Sequence, residues 1–195
     1  MGKRIVIIDG HPDGRSERFV HALARAYREG AEEARHEVRD IEVAKLIFPL
    51  LRKREDFEEG IPPAVIRKCQ EAISRADHLL ILYPLWLGDM PAALKAFFEQ
   101  TFRPGFAFAA GAKGRLPRKL LGRKSARIVV TMGMPALFYR WYFRAHSLKS
   151  LERNILAFCG IQPVRANVVG TVERMGQARR EHWLARMNAL GRRAQ

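Results

Sequence analysis

The chain reads Leu79-Leu80-Ile81-Leu82-Tyr83-Pro84-Leu85-Trp86-Leu87-Gly88-Asp89-Met90-Pro91 through its middle, and this stretch decides the fold. Leu79 to Tyr83 is short and apolar throughout, the pattern of a strand covered on both faces, as in a parallel sheet between helices. Pro84 lacks an N–H and ends the ladder. Pro91 suits the first turn of a following helix, in which Leu94, Phe97, Phe98 and Thr101 recur at helical spacing. The loop between the prolines carries Leu85, Trp86, Leu87 and Gly88. In an open α/β sheet, ligands bind in the crevice beyond the carboxyl ends of the strands, so an apolar, aromatic loop there points to a flat and partly apolar ligand. Surface hydrophobes or a dimer contact would have the same composition, and the local pattern leaves that alternative open.

Outward from this stretch, strands and helices alternate. Lys3 to Asp9 contains Ile-Val-Ile-Ile and reads as the first, central strand, followed by the loop Gly10-His11-Pro12-Asp13-Gly14-Arg15-Ser16 and a helix from about Ser16 to Gly30–Ala34. Free amides and the macrodipole at that helix start favour an anion, although the chain has neither a Walker lysine nor G-x-G-x-x-G. Ser16 suits both anion binding and an N-cap. Arg18 in the first turn can pair with a phosphate, provided Asp13 and Glu17 point outward. His36 to Val43 alternates as a shorter edge strand, 44–62 reads as loop, and a helix follows Pro62-Pro63. After a long basic connection over 103–124, Ala126 to Met132 forms the fourth strand. It ends in Thr131-Met132-Gly133-Met134, whose hydroxyl and close-approach glycine form a third ligand loop. A helix is expected from Tyr139 through Cys159, a fifth strand over Gln162 to Val169, and a closing helix over Met175 to Leu190. Five strands with right-handed crossovers predict a doubly wound α/β parallel sheet, order 2-1-3-4-5, with helices on both faces; the loops after strands one, three and four then converge.

At 195 residues, 48% of them hydrophobic, the chain fits a single domain over 1–195 with a substantial core. No stretch approaches the roughly 20 apolar residues of a membrane span, and no signal peptide is visible, so the expected location is the cytoplasm. Cys69 and Cys159 have no metal-ligand or redox spacing and read as structural thiols. The net charge of +15 is diffuse; its densest run is Lys113, Arg115, Arg118, Lys119, Arg123, Lys124 and Arg127. Without an aromatic-interleaved or helix-turn-helix pattern it suggests a positive field that attracts phosphate-bearing cofactors rather than a nucleic-acid partner.

Residues 83 to 108, Tyr-Pro-Leu-Trp-Leu-Gly-Asp-Met-Pro-Ala-Ala-Leu-Lys-Ala-Phe-Phe-Glu-Gln-Thr-Phe-Arg-Pro-Gly-Phe-Ala-Phe, resemble the signature of the NAD(P)H:quinone reductase branch of the flavodoxin-like fold. His11-Pro12-Asp13-x-x-Ser16-x-x-Phe19 resembles that family's first flavin loop. The resemblance implies a non-covalently bound flavin, FAD in quinone reductases of this appearance and FMN in shorter relatives. The implied flavin contacts are His11, Ser16, Arg18 and Phe19 at the phosphate, with Pro84, Leu85, Trp86, Leu87, Thr131, Met132, Gly133 and Met134 around the ring. It further implies NAD(P)H as co-substrate, ping-pong reduction of a quinone-type acceptor, and a homodimer that completes the pocket, for which Phe106, Phe108, Trp141, Tyr142 and Phe143 are spare aromatics. The family's assisting tyrosine aligns with Tyr139; its histidine falls one residue short of His146. A flavodoxin-type electron carrier or a regulatory flavoprotein subunit of an ion transporter would use the same fold.

Overall fold

A computed structural model describes residues 2–109 and 117–195; Lys113 and Arg115 of the basic run lie outside the described residues. The main sheet consists of β1 (Arg4–Asp9), β2 (Glu37–Glu42), β3 (His78–Pro84), β4 (Ser125–Thr131) and β5 (Val164–Val169), all parallel, in the order β2-β1-β3-β4-β5. This is the doubly wound order expected of the flavodoxin-like fold. The central strand β3 is buried over its whole length, and β1 buries every residue after Arg4, which is why both read as unbroken apolar runs. β2 lies on the edge, and four of its six residues are charged.

Side chains alternate across the sheet and build one core on each face. Ile5, Ile7, Leu80, Leu82 and Val129 pack with Val20, Leu23 and Tyr27 of α1 (Phe19–Glu33) and with Met187 and Leu190 of the last helix, Gln177–Arg192. Val6, Ile8, Leu79, Ile81 and Ile128 pack with Ile66, Cys69 and Ile73 of α2 (Ala64–Arg75) and with Leu94, Phe97 and Phe98 of α3 (Ala92–Thr101). Glycines bring the first and last helices unusually close: a Cβ at Gly30 would lie 2.0 Å from the Asn188 carbonyl oxygen, and one at Gly191 2.0 Å from that of Tyr27.

The structure differs from the sequence reading in three places. First, α1 begins at Phe19, with Arg18 at its N-cap, so Ser16 lies in the turn before the helix and does not cap it. Second, the helix expected from Tyr139 to Gly160 is broken. Ala136–Trp141 (α4) ends before Arg144 and Ala145, which take φ of 50° and 49°, and α5 (His146–Ser150) restarts and runs into a π-helical stretch, Leu151–Ala157. Third, 44–62 contains a short helix, Arg54–Glu58, and the segment is tied to α3. Gln100 donates to the Pro49 carbonyl at 2.6 Å, and Arg103 donates to the carbonyls of Asp56 and Gly60 at 2.8 and 2.7 Å.

Part of the basic run is structural. Lys124 is buried and donates to the carbonyls of Ser74 and Ala76 at the end of α2, and Arg127 donates to Asn167. Burial pushes both side chains below their usual pKa. Cys69 and Cys159 are free and buried, the latter pushed up to about 12 by desolvation, as suits inert packing thiols. Among the described residues no helix is long and apolar enough to cross a membrane.

Candidate functional site

The loops after β1, β3 and β4 meet at the carboxyl edge of the sheet because their backbones are bonded across it. The Gly10 N–H donates to the Leu82 carbonyl at 2.7 Å, Leu85 to Thr131 at 2.7 Å, and Met132 to Val169 at 2.9 Å. Between them lies a cleft of about 330 Å³ whose walls include His11, Arg18, Phe19, Pro84, Leu85, Trp86, Thr131, Met132 and Gly133. Nine of the twelve residues assigned to the cofactor from sequence are thus brought together.

The first loop is shaped by Asp9, which is buried at the end of β1. One carboxylate oxygen accepts the His11 N–H at 3.1 Å, and the other lies 2.5 Å from His21 Nδ1, while His21 Nε2 donates to the Asp13 carbonyl at 2.9 Å. His21 therefore ties the loop to the first turn of α1. The Asp13 N–H donates to His11 Nδ1 at 3.0 Å, which fixes the neutral tautomer and leaves Nε2–H as the donor available to the cleft. Burial, with His21 as the next cause, holds the His11 pKa below its ordinary value, so the ring is a neutral donor at pH 7. Phe19 and Val20 open α1, and their N–H groups have no intrahelical acceptor. Together with the positive end of the helix dipole they favour an anion.

Arg18 reaches the cleft, but as one partner of a clamp. Its Nη2 lies 2.6 Å from Asp13 Oδ2, which Arg15 also grips at 2.7 Å. The hydrogen bonds from Arg15 and Arg18 hold the Asp13 carboxyl far below the usual range. The sequence reading turned Asp13 and Glu17 away from the anion; Asp13 is instead neutralised by its two arginines, and Glu17 stands in the cleft wall.

At the other end, Trp86 stands edge-on to His11, ring centroids 6.0 Å apart, and offers a flat apolar wall. Trp86 and Asp89 exchange backbone hydrogen bonds at 2.8 and 3.0 Å across Leu87 (φ 48°) and Gly88 (φ 82°), a tight turn with both central residues left-handed. Glycine tolerates this geometry, whereas a leucine there costs about 1–2 kcal/mol, and its side chain projects wholly into solvent. Leu87 therefore faces away from the cleft. Opposite Trp86, the Thr131 hydroxyl and the Gly133 N–H are unclaimed by any hydrogen bond among the described residues.

Four further assigned residues lie outside this cleft. Ser16 faces a separate hollow with Asp9, His21 and Asp40, because the helix starts three residues after it. Met134 packs partly buried against the core, and its carbonyl accepts the Thr171 N–H. Tyr139 is buried; its hydroxyl pairs with Ser147 at 2.8 Å and accepts the Leu148 N–H at 3.2 Å, so it holds α5 onto α4 and is not part of the cleft wall. His146 lies in a neighbouring groove with Leu87, Gly88 and Asp89. Sequence reasoning missed Val172, Glu173 and Arg180, which complete the cleft from the loop after β5 and the start of α6 (Gln177–Arg192). Arg180 lies 5.0 Å over the Phe19 ring and donates to the carbonyls of Val172 and Met175. Its one sequence-level trace is the basic start of that helix.

The family described as "Flavodoxin-like fold" (Flavodoxin_2) matches residues 3–190. The chain belongs to this flavodoxin-like family. It is 26% identical over 172 residues to a protein named "Uncharacterized NAD(P)H oxidoreductase" from Haemophilus influenzae, covering 86% of this chain and 83% of the relative. Among solved structures it superposes on an NAD(P)H:quinone oxidoreductase from Methanothermobacter marburgensis with a TM-score of 0.82 at 25% identity, covering 98% and 96% of the two chains. An FMN-dependent NADH-azoreductase from Bacillus anthracis, solved with FMN, shares the fold at a TM-score of 0.76 and 17% identity over 99% of each chain. These relatives bear out the resemblance read from residues 83–108.

Proposed function

We propose that the cleft holds a flavin and that the protein is a flavin-dependent NAD(P)H oxidoreductase reducing quinones or related small acceptors. One observation carries the reading: a single cleft joins an anion-binding end to an aromatic end. At the first are the His11 Nε2–H and the open amides of α1; at the second are Trp86 and the unclaimed donors of Thr131 and Gly133. A phosphate suits the first end and a flat heteroaromatic ring with carbonyls the second. The names of the Haemophilus and Methanothermobacter relatives support NAD(P)H as electron donor and a quinone as acceptor.

A bound flavin supplies the hydride-accepting and hydride-donating chemistry. Trp86 would hold the ring of a bound flavin, and the Thr131 hydroxyl and Gly133 N–H would be the donors available to its carbonyls and ring nitrogens. Reduced nucleotide and acceptor occupy the open face in turn, which gives ping-pong kinetics. Tyr139 acts through position alone, fixing the start of α5.

The family resemblance favours FAD and a homodimer. In support of a second copy, Leu137, Trp141 and Tyr142 are largely exposed, and Tyr142 packs parallel to Phe138 at 5.0 Å and edge-on to Phe143 at 5.0 Å, forming one apolar patch. Phe106 and Phe108 instead pack against the core. Sedimentation velocity of the purified protein, recorded in the visible absorbance band of the flavin, tests both points. A coloured boundary at twice the 22.3 kDa chain mass is expected, with FAD recovered by chromatography after heating. A protein that stays colourless after incubation with either flavin overturns the cofactor; a coloured monomer at micromolar concentration overturns the dimer.

A further inference from the structure

A groove of about 740 Å³ borders the Trp86–Asp89 turn at Leu87, Gly88 and Asp89, while Trp86 at the start of the same turn lines the flavin cleft. One wall is Leu87, Gly88 and Asp89. The other is a single helical face: His146, Lys149, Ser150, Arg153 and Asn154 follow at i, i+3, i+4, i+7 and i+8, with Arg144 added from the kink before α5. Arg144, Lys149 and Arg153 form no ion pair among the described residues, and Asp89 is the one acid in the wall. Positive φ at Leu87 opposite and at Arg144 and Ala145 shows that both walls are held in unfavourable backbone geometry. Three unpaired cations facing one groove raise its potential and call for a polyanion.

We infer that this groove binds the 2′-phosphate end of NADPH and makes the enzyme selective for NADPH over NADH. The inference rests on the flavin reading, because a dinucleotide whose nicotinamide lies over a ring beside Trp86 has only to cross the turn for its adenylate end to enter the groove. A 2′-phosphate carries close to two negative charges and accepts from several donors at once, as Arg144, Lys149 and Arg153 together supply. NADH places a neutral hydroxyl there and leaves the cations unpaired.

The test compares kcat/KM for NADPH and NADH in the wild-type holoprotein, Arg144→Gln and Lys149→Gln/Arg153→Gln, alongside calorimetric binding of 2′,5′-ADP and 5′-AMP. The wild type should favour NADPH by at least about tenfold, since each charge-assisted contact is worth about a factor of ten or more. The double variant should bring the ratio close to one, and Lys149→Arg/Arg153→Lys should retain most of it. The protein should bind 2′,5′-ADP but not 5′-AMP. Equal use of the two nucleotides by the wild type, or selectivity unchanged in both glutamine variants, overturns the inference. Binding of 2′,5′-ADP needs no flavin and separates the two failures. If the protein takes up no flavin yet binds 2′,5′-ADP, and loses that binding in the double variant, the groove stands and the cofactor reading falls; if 2′,5′-ADP does not bind, the groove falls.

Discussion

Gly133→Phe is expected to lower flavin affinity by about 100-fold or more, equivalent to roughly 3 kcal/mol, while the apoprotein unfolds at an unchanged denaturant concentration. Gly133 lies in the loop between β4 and α4, in the wall of the 330 Å³ cleft. A Cβ built there meets Glu173 Oε1 at 3.5 Å, an ordinary contact, and the backbone is not in the left-handed region. The substitution therefore adds a ring to the cleft without straining the fold. Gly133→Ala is the control and should change affinity by no more than about threefold, since one methyl is worth little beside a displaced ring. Fluorescence titration of apoprotein with flavin measures both, and equal affinity in Gly133→Phe would place the flavin elsewhere.

His78 should make the protein markedly acid-sensitive. It opens β3, is 2% exposed, and shares a 2.7 Å hydrogen bond between Nδ1 and the Ser125 hydroxyl, while Nε2 has no partner among the described residues. Burial, reinforced by the charges of Lys3, Arg127 and Arg165, lowers its pKa from 6.5 to about 3. The unfolded chain thus binds a proton at a pH where the folded chain does not. The stability is fully present above about pH 6.5 and is lost as pH falls from there toward 3. At 1.36 kcal/mol per pH unit, descent to pH 4.5 costs roughly 2.5 kcal/mol through this group alone. Urea unfolding of wild type and His78→Asn at pH 7 and pH 4.5 isolates the term, because every other titrating group is common to both. The wild type should lose about that much more than the variant; equal losses would show that His78 does not carry the sensitivity.

Elements covered on both faces were legible because burial writes itself into composition: Ile5–Ile8, Leu79–Leu82 and Ile128–Val130 leave no residue polar. The strand order and the convergence of His11, Trp86 and Thr131 followed from them and from the handedness of crossovers. The break at Arg144–Ala145 was not legible, since neither residue is the glycine or proline that marks such a turn. Nor was the role of Asp13, whose pairing with Arg15 and Arg18 depends on how the loop folds back. Tyr139 was placed by alignment with relatives, but its hydroxyl is claimed by Ser147 across the kink, a contact that the sequence spacing does not show. Val172 and Arg180 reach the cleft only because β5 is the neighbour of β4.

The central claim is that a nicotinamide nucleotide reduces a flavin held between Trp86 and Gly133. Anaerobic stopped-flow mixing of the holoprotein with NADPH tests it most directly. The visible flavin band should bleach at least as fast as steady-state turnover, and a quinone added afterwards should restore it. A bound flavin that neither NADPH nor NADH reduces would contradict the account and leave an electron carrier on the same fold.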